Sequence, residues 1–329
     1  MFFKSNSAVG IEIDTGIVRA LELKGSVHSA TISAAGQVEI PVDAVDEGVV
    51  MDVDAVGEAL KQLWGKESFS AKDVVLGVCN PGVIMRKANF PKAVEKKLGQ
   101  VIRFQAGDFF PISLSEMVLD YSLLGEINQE RGPELEVLLV AARRDALEHN
   151  LAALAVAGLE PKIVDYSPLA LLTVVPEGGR SGTVVLVDIN QGFTTLLLAH
   201  QGIPRFSRVI PYSFSSLVQS GQPLADVKEA MQEASAAVDD QLTTSSEMFS
   251  GDWGNSFTGA IRSSINYYLS QQRGANVDLI LLSGRGALVD GLPELLQSEL
   301  EVPVEAINAG KGPDFAVCHG LALRGLEGK

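Results

Sequence analysis

The sequence predicts two α/β lobes, and three observations carry that prediction. Short β-branched runs alternate with amphipathic stretches along the chain, a pattern that layers helices on mixed sheets. A hairpin of matching pattern opens each half: Ile11-Glu12-Ile13-Asp14-Thr15-Gly16 and Val187-Asp188-Ile189-Asn190-Gln191-Gly192 both read apolar, acid, Ile, Asp or Asn, polar, Gly. Between the halves, Pro176-Glu177-Gly178-Gly179-Arg180-Ser181-Gly182 has the composition of a hinge.

Taken in order, Val9–Ile13 and Val18–Leu23 are strands joined by the turn Asp14-Thr15-Gly16, whose residues tolerate left-handed backbone. Val53, Val56, Leu60 and Leu63 recur at helical spacing, and Val74–Val78 reads as a buried strand ending at Asn80-Pro81-Gly82. Pro91 is expected to open a helix with Val94, Leu98, Val101 and Ile102 on one face. Val118–Leu124 and Leu135–Ala141 read as strands linked by a polar turn, and Leu147, Leu151 and Leu154 mark a helix stopped by Gly158. The strand Lys162–Asp165 leads to the hinge. Beyond it come the hairpin Thr183–Ile189 and Phe193–His200, and a helix from Pro223 through Leu224, Val227, Met231 and Val238. A polar loop over Thr243–Ser256 precedes a helix through Phe257, Ile261, Ile265 and Leu269. Asp278–Leu282 and Val302–Ile307 are strands; Leu292–Leu300 and Asp314–Leu326 are helices.

Composition narrows the function. Of 329 residues, 46% are hydrophobic and 20% charged, which excludes a disordered chain and permits a sizeable core. A net charge of −15 speaks against a nucleic-acid partner, which requires clustered cations. Two cysteines, Cys79 and Cys318, suit a reducing compartment and read as packed thiols. No secretory signal or spanning segment is evident, so a soluble cytoplasmic protein is expected. His28, His149, His200 and His319 are scattered without metal-ligand spacing, and no P-loop string is present.

The two hairpins carry the chemistry. Facing each other across a cleft, their turn amides could cradle phosphate, and Glu12 and Asp188 could hold Mg²⁺ through water; alternatively both acids lie on solvated faces of edge strands. A third loop, Ser283-Gly284-Arg285-Gly286-Ala287, follows a strand and lets a ligand approach backbone closely, although Val289 stands where a dinucleotide fingerprint needs glycine.

These three loops resemble the two phosphate motifs and the adenosine motif of the actin-like ATPase superfamily. The strings VGIEIDTGIVRALELKG, VVMDVDAVGEALKQL, VIMRKANFPKAVEKKL, FFPISLSEMVLDYSLL, VLLVAARRDALE, AGLEPKIVDYSPLALL and GLALRG resemble, in order and over nearly the whole chain, the PilM family of type IV pilus assembly proteins. The resemblance implies an actin-like, ribonuclease H-like duplicated fold of the FtsA branch. Its first lobe would comprise residues 1–81, 144–178 and 314–329, an inserted 1C subdomain residues 82–143, and the second lobe residues 181–313. It also implies a cytoplasmic platform component, peripheral at the inner membrane through its partners. Those partners would be the N-terminal peptide of a PilN-like bitopic membrane protein, other pilus platform proteins and further copies in a homo-oligomeric ring. ATP and Mg²⁺ would occupy Glu12, Asp14, Thr15, Gly16, Asp188, Asn190, Gln191, Gly192, Gly284, Arg285 and Gly286.

Asp14, Asn190 and Arg285 depart from the family by standing where it carries glycine. A carboxylate ~4 Å from phosphate is opposed by ~1 kcal/mol in water and ~4 kcal/mol at an effective dielectric of 20, so Asp14 spoils the usual cradle. Arg285 would place bulk near an adenine or stack on it. The expectation is therefore a scaffold with a degenerate cleft. An active ATPase or small-molecule kinase is the rival, and beyond Asp188 no base for it is visible. A type II secretion platform domain would be expected to continue into a membrane span after Lys329.

One segment runs against the acidic composition: Arg86, Lys87, Lys92, Lys96, Lys97 and Arg103 face the single acid Glu95. It reads as a docking face for an acidic partner or an anionic leaflet, or else as a solvated helix face. Phe104, Phe109 and Phe110 follow, as subdomain core or as the lining of a peptide groove.

Overall fold

The computed structural model describes residues 7–130, 132–214, 252–271 and 276–328. The helix expected from Pro223 lies outside them. The first sheet begins with the hairpin β1 (Ser7–Asp14) and β2 (Ile17–Lys24), extended by β3 (Thr31–Glu39). A two-residue ladder follows, β4 (Val45–Asp46) with β5 (Val49–Val50). The helix α1 (Val53–Lys66) starts where the Asp52 carboxylate accepts the Ala55 N–H at 2.9 Å, satisfying one amide that the helix leaves unpaired. The strand β6 (Asp73–Val78) runs parallel to β1.

An excursion then leaves this sheet. It comprises β7 (Ile84–Pro91), α2 (Leu98–Phe109) and the long hairpin β8 (Met117–Gln129) and β9 (Gly132–Arg143). The strands pair in the order β7-β9-β8, so β8 is an edge strand. The expected helix at Pro91 is corrected: Pro91 ends β7, a 3-10 turn spans Lys92–Lys97, and the α-helix starts at Leu98. Proline's fixed φ and missing N–H suit a strand edge as well as a helix start, which is why sequence alone misplaced it.

The chain returns through α3 (Arg144–Val156), β10 (Glu160–Tyr166) and α4 (Ser167–Leu171). A second five-stranded sheet follows: β11 (Thr183–Ile189), β12 (Thr194–His200), β13 (Ile203–Ile210), β14 (Leu279–Ser283) and β15 (Val304–Ala306). Its helices are α5 (Asp252–Gln271) and α6 (Leu292–Leu300). Of the expected polar loop, residues 243–251 lie outside the described residues and residues 252–256 are corrected to helix, because α5 already begins at Asp252. The last helix, α7 (Ala316–Glu327), packs back on β1, β2 and β6 of the first sheet. That approach is possible because Gly10 has no Cβ to overlap the Cys318 carbonyl.

The two large sheets share one plan. Their orders are β10-β6-β1-β2-β3 and β15-β14-β11-β12-β13, each an antiparallel three-strand meander with two parallel strands beside its first member. The duplication read from the hairpins therefore extends to β3 and β13, which sequence analysis did not anticipate. β1 and β11 are interior strands, not edges, so the solvated-edge reading of Glu12 and Asp188 is overturned: both are buried. Separate apolar cores fill the second lobe around Phe257, the first around Leu60 and the excursion around Phe90 and Ile102.

Candidate functional site

The two hairpins meet tip to tip. In the first, Asp14 pairs with Ile17, leaving Thr15 and Gly16 as the turn, with Gly16 at φ 75°. In the second, Ile189 pairs with Thr194, and the Asn190 N–H donates to the Phe193 carbonyl across the tip. Asp14 joins them: one carboxylate oxygen accepts the Thr15 N–H at 2.8 Å and the other the Gln191 N–H at 3.0 Å. Gly192 lies against the Thr15 hydroxyl so closely that a Cβ would not fit.

Behind the tips the acids form one buried network. Arg19, fully buried, donates to Glu12 at 3.2 Å and lies 4.0 Å from Asp14. The Asn190 amide donates to Asp188 at 2.6 Å and to Glu12 at 3.3 Å, bridging the lobes, and the Ser283 hydroxyl donates to the far oxygen of Asp188 at 2.7 Å. Glu12 and Asp14 thus share one guanidinium, while Asp188 is held by Asn190 and Ser283. Burial pushes the Glu12 carboxyl up to about 8 and Asp188 to about 6, with Arg19 pulling both down and Asp14 pushing both up. Burial also raises Asp14, opposed by Arg19 and by the amides of Gln191, Thr15 and Gly192. For Arg19 burial works downward, but Glu12 and Asp14 outweigh it and hold the guanidinium charged.

The third loop packs instead of gaping. Gly284 (φ 76°) and Gly286 lie against Ile189, leaving no room for a Cβ at either position. Arg285 turns its guanidinium onto the Phe214 ring, 5.4 Å from the centroid, a cation–π contact.

Of the sequence-named cleft residues, Glu12, Asp14, Thr15, Asp188, Asn190, Gln191 and Gly192 therefore meet at the inter-lobe junction, while Gly284 and Gly286 pack on Ile189 and Arg285 on Phe214. Two members were not among the sequence-named ligands: Arg19, and Ser283, which opens the third loop. A two-residue turn after Asp14 sets Glu12 directly across from Arg19, so the register alone could have found the first. In this arrangement Glu12 and Asp188 face protein donors: Arg19 and Asn190 for the first, Asn190 and Ser283 for the second. Thr15 Oγ1, Arg19 Nε and Nη2, and Asn190 Oδ1 are buried without a protein hydrogen-bond partner. Among the described residues there is no cluster of three or more His, Cys, Asp or Glu placed to hold a metal ion.

The basic segment divides. Lys87 pairs with Glu136 at 2.8 Å within the excursion, and Arg205 from β13 reaches the other Glu136 oxygen at 2.9 Å, so it is Arg205 that ties the excursion to the second lobe. Lys92 pairs with Glu126. Arg86, Lys96, Lys97 and Arg103 are exposed. Phe110 is buried in the excursion's core and Phe109 packs beside Phe90, at 5.9 Å between centroids, so neither lines a surface groove. Phe104 is the exposed aromatic. Cys79 and Cys318 pack as expected, with burial pushing Cys79 up to about 12.

Two lobes of shared topology, a junction built from their paired hairpins and an inserted α/β excursion define an actin-like fold. The match to the family described as type IV pilus assembly protein PilM runs over residues 10–319, and the chain belongs to that family. A solved PilM–PilN type IV pilus biogenesis complex is similar at TM-score 0.83 and 25% identity, with 97% of this chain and 98% of that chain covered. The ethanolamine utilization protein EutJ of Carboxydothermus hydrogenoformans shares the fold at TM-score 0.58 and 14% identity, covering 96% and 89% of the two chains. A Bacteroides thetaiotaomicron protein with an actin-like ATPase fold follows at TM-score 0.50 and 10% identity, covering 97% and 96%. Among the described residues no helix is long and apolar enough to cross a membrane.

Proposed function

We propose that this chain is a scaffold of the type IV pilus inner-membrane platform, working at the cytoplasmic face and holding the N-terminal peptide of a PilN-like bitopic membrane protein. The observation that carries this reading is the similarity to the PilM–PilN complex over 97% of the chain, excursion included. Other platform proteins and a homo-oligomeric ring belong to the same reading. The site we assign to the peptide lies where β8 meets the rest of the molecule. There a cavity of about 470 Å³ is lined by Ser122 and Leu124 of β8, Leu138 of β9, Leu169 and Leu172 by α4, and Pro204 of β13. An extended peptide can add backbone hydrogen bonds to the free edge of β8 while placing apolar side chains in this cavity. The inter-lobe junction serves as a fixed joint: Arg19 supplies internally the positive charge that a metal–nucleotide complex would otherwise bring, so ATP turnover is not part of the mechanism.

The test is titration of the partner's labelled peptide against the wild type and Leu124→Asp, with melting as the folding control. Loss of affinity by tenfold or more at unchanged melting is expected, since a buried carboxylate without a partner is costly. Equal affinity would move the peptide elsewhere. In parallel, MgATP should neither shift the melting temperature nor release phosphate.

A further inference from the structure

We propose that the outer face of α2 is a docking surface for an anionic lipid bilayer. A shallow cleft of about 330 Å³ is lined by Lys96, Lys97, Gly99, Gln100, Arg103 and Tyr121. Lys87 and Lys92 are neutralised by Glu136 and Glu126, but Lys96, Lys97 and Arg103 have no ion pair among the described residues. Lys96 and Lys97 end the 3-10 turn that leads into α2 and Arg103 lies on α2 itself; all three line this cleft, where Gly99 lets the Tyr121 ring lie against the start of α2. Three cations, the Tyr121 hydroxyl and the uncapped first turn of α2 suit a phosphodiester headgroup.

The second observation is Phe104, 90% exposed and one turn beyond Gln100. Leu98, Ile102 and Ala106 face the sheet, which puts Phe104 on the opposite, convex crest of the helix. An aromatic on such a crest beside free cations is the arrangement of an interfacial anchor: the charges find the headgroups and the ring enters the acyl boundary. The rest of the chain argues for orientation. At a net charge of −15 the molecule as a whole is repelled by an anionic surface, so this positive face is the one that can approach, with the remainder screened beyond ~8 Å. The proposal stands apart from the peptide site, since it requires lipid alone.

The experiment is flotation of the full chain with phosphatidylglycerol-containing vesicles and with pure phosphatidylcholine vesicles, at low and high salt. Two variants accompany it, Lys96→Gln/Lys97→Gln/Arg103→Gln and Phe104→Ser. The wild type should float with anionic vesicles at low salt and not with neutral ones. The triple variant should bind on the order of a hundredfold more weakly, each cation near the surface being worth about fivefold. Phe104→Ser should weaken flotation with little change in its salt dependence. In a separate arm, Phe104→Trp should show a blue-shifted emission when anionic vesicles are added. Absence of flotation, or flotation indifferent to both variants, overturns the proposal. So does tight, cation-dependent capture of a poly-glutamate peptide without vesicle binding, which assigns the face to an acidic protein. Binding of inorganic phosphate without vesicle binding likewise overturns it, leaving a simple anion pocket.

Discussion

The molecule holds two groups of charged residues, and they sit in opposite surroundings. At the inter-lobe junction Arg19 is sealed against Glu12 and Asp14; at α2 and the 3-10 turn before it, Lys96, Lys97 and Arg103 stand in water with no ion pair among the described residues. Charge type is the same and burial differs. Where charge is buried, each group depends on its neighbour and the network fixes how the lobes sit. Where it is exposed, each group is nearly independent and is available to something outside.

Removing the buried cation is the strongest way to break this contrast. Arg19→Ala strands the carboxylates, and breaking a buried pair costs about 3–5 kcal/mol, a loss that denaturant titration will register. If Arg19→Ala melts like the wild type, the junction is not the joint described here. Next in size is Gly284→Ala, which forces a side chain into left-handed backbone against Ile189; a loss of about 1–3 kcal/mol is expected by thermal melting.

The pH dependence sharpens the same contrast. Glu12 titrates near 8 in the folded chain against 4.5 for the free side chain, so the native state binds the extra proton between those values. Its contribution is complete below about 4.5 and is lost as pH rises through about 8. Stability should therefore fall from pH 5 to pH 8.5, and Glu12→Gln should flatten that slope; an unchanged slope would remove Glu12 as the proton holder. Smallest of all, Lys96→Gln/Lys97→Gln/Arg103→Gln should move the melting temperature by no more than about 2 °C. A larger shift would make the exposed group structural as well.

Much of this was legible in the sequence, for identifiable reasons. Both hairpins were visible because their Asp, Asn and Gly turns punctuate β-branched strands, and their matching pattern exposed the duplication. β3 and β13 escaped because Thr31–Glu39 and Ile203–Ile210 mix small, polar and charged residues, as outer strands with solvent on one side do. The cleft acids were found individually, but their state was not. That Glu12 is also bonded to Asn190 of the second lobe depends on contact across 178 positions, which no local pattern encodes. Phe104 and Phe110 illustrate the same limit: both are apolar and six residues apart, but Phe104 stands outward on α2, whereas Phe110 follows the helix end in extended backbone and enters the core.

The return of α7 to the first sheet has a consequence for how the chain is made. β1, β2 and β6 leave the ribosome early, yet the helix that covers them is encoded by the last residues. Roughly 150 residues separate β10 from α7, which at 5–20 residues per second is about 8–30 s of translation. Throughout that interval Leu21 and Leu23, which end up buried against Phe315, Cys318 and Ala322, remain uncovered. The first half to be synthesised is thus the last to close, and an interrupted chain would present that bare strand pair to the cell's chaperones and proteases.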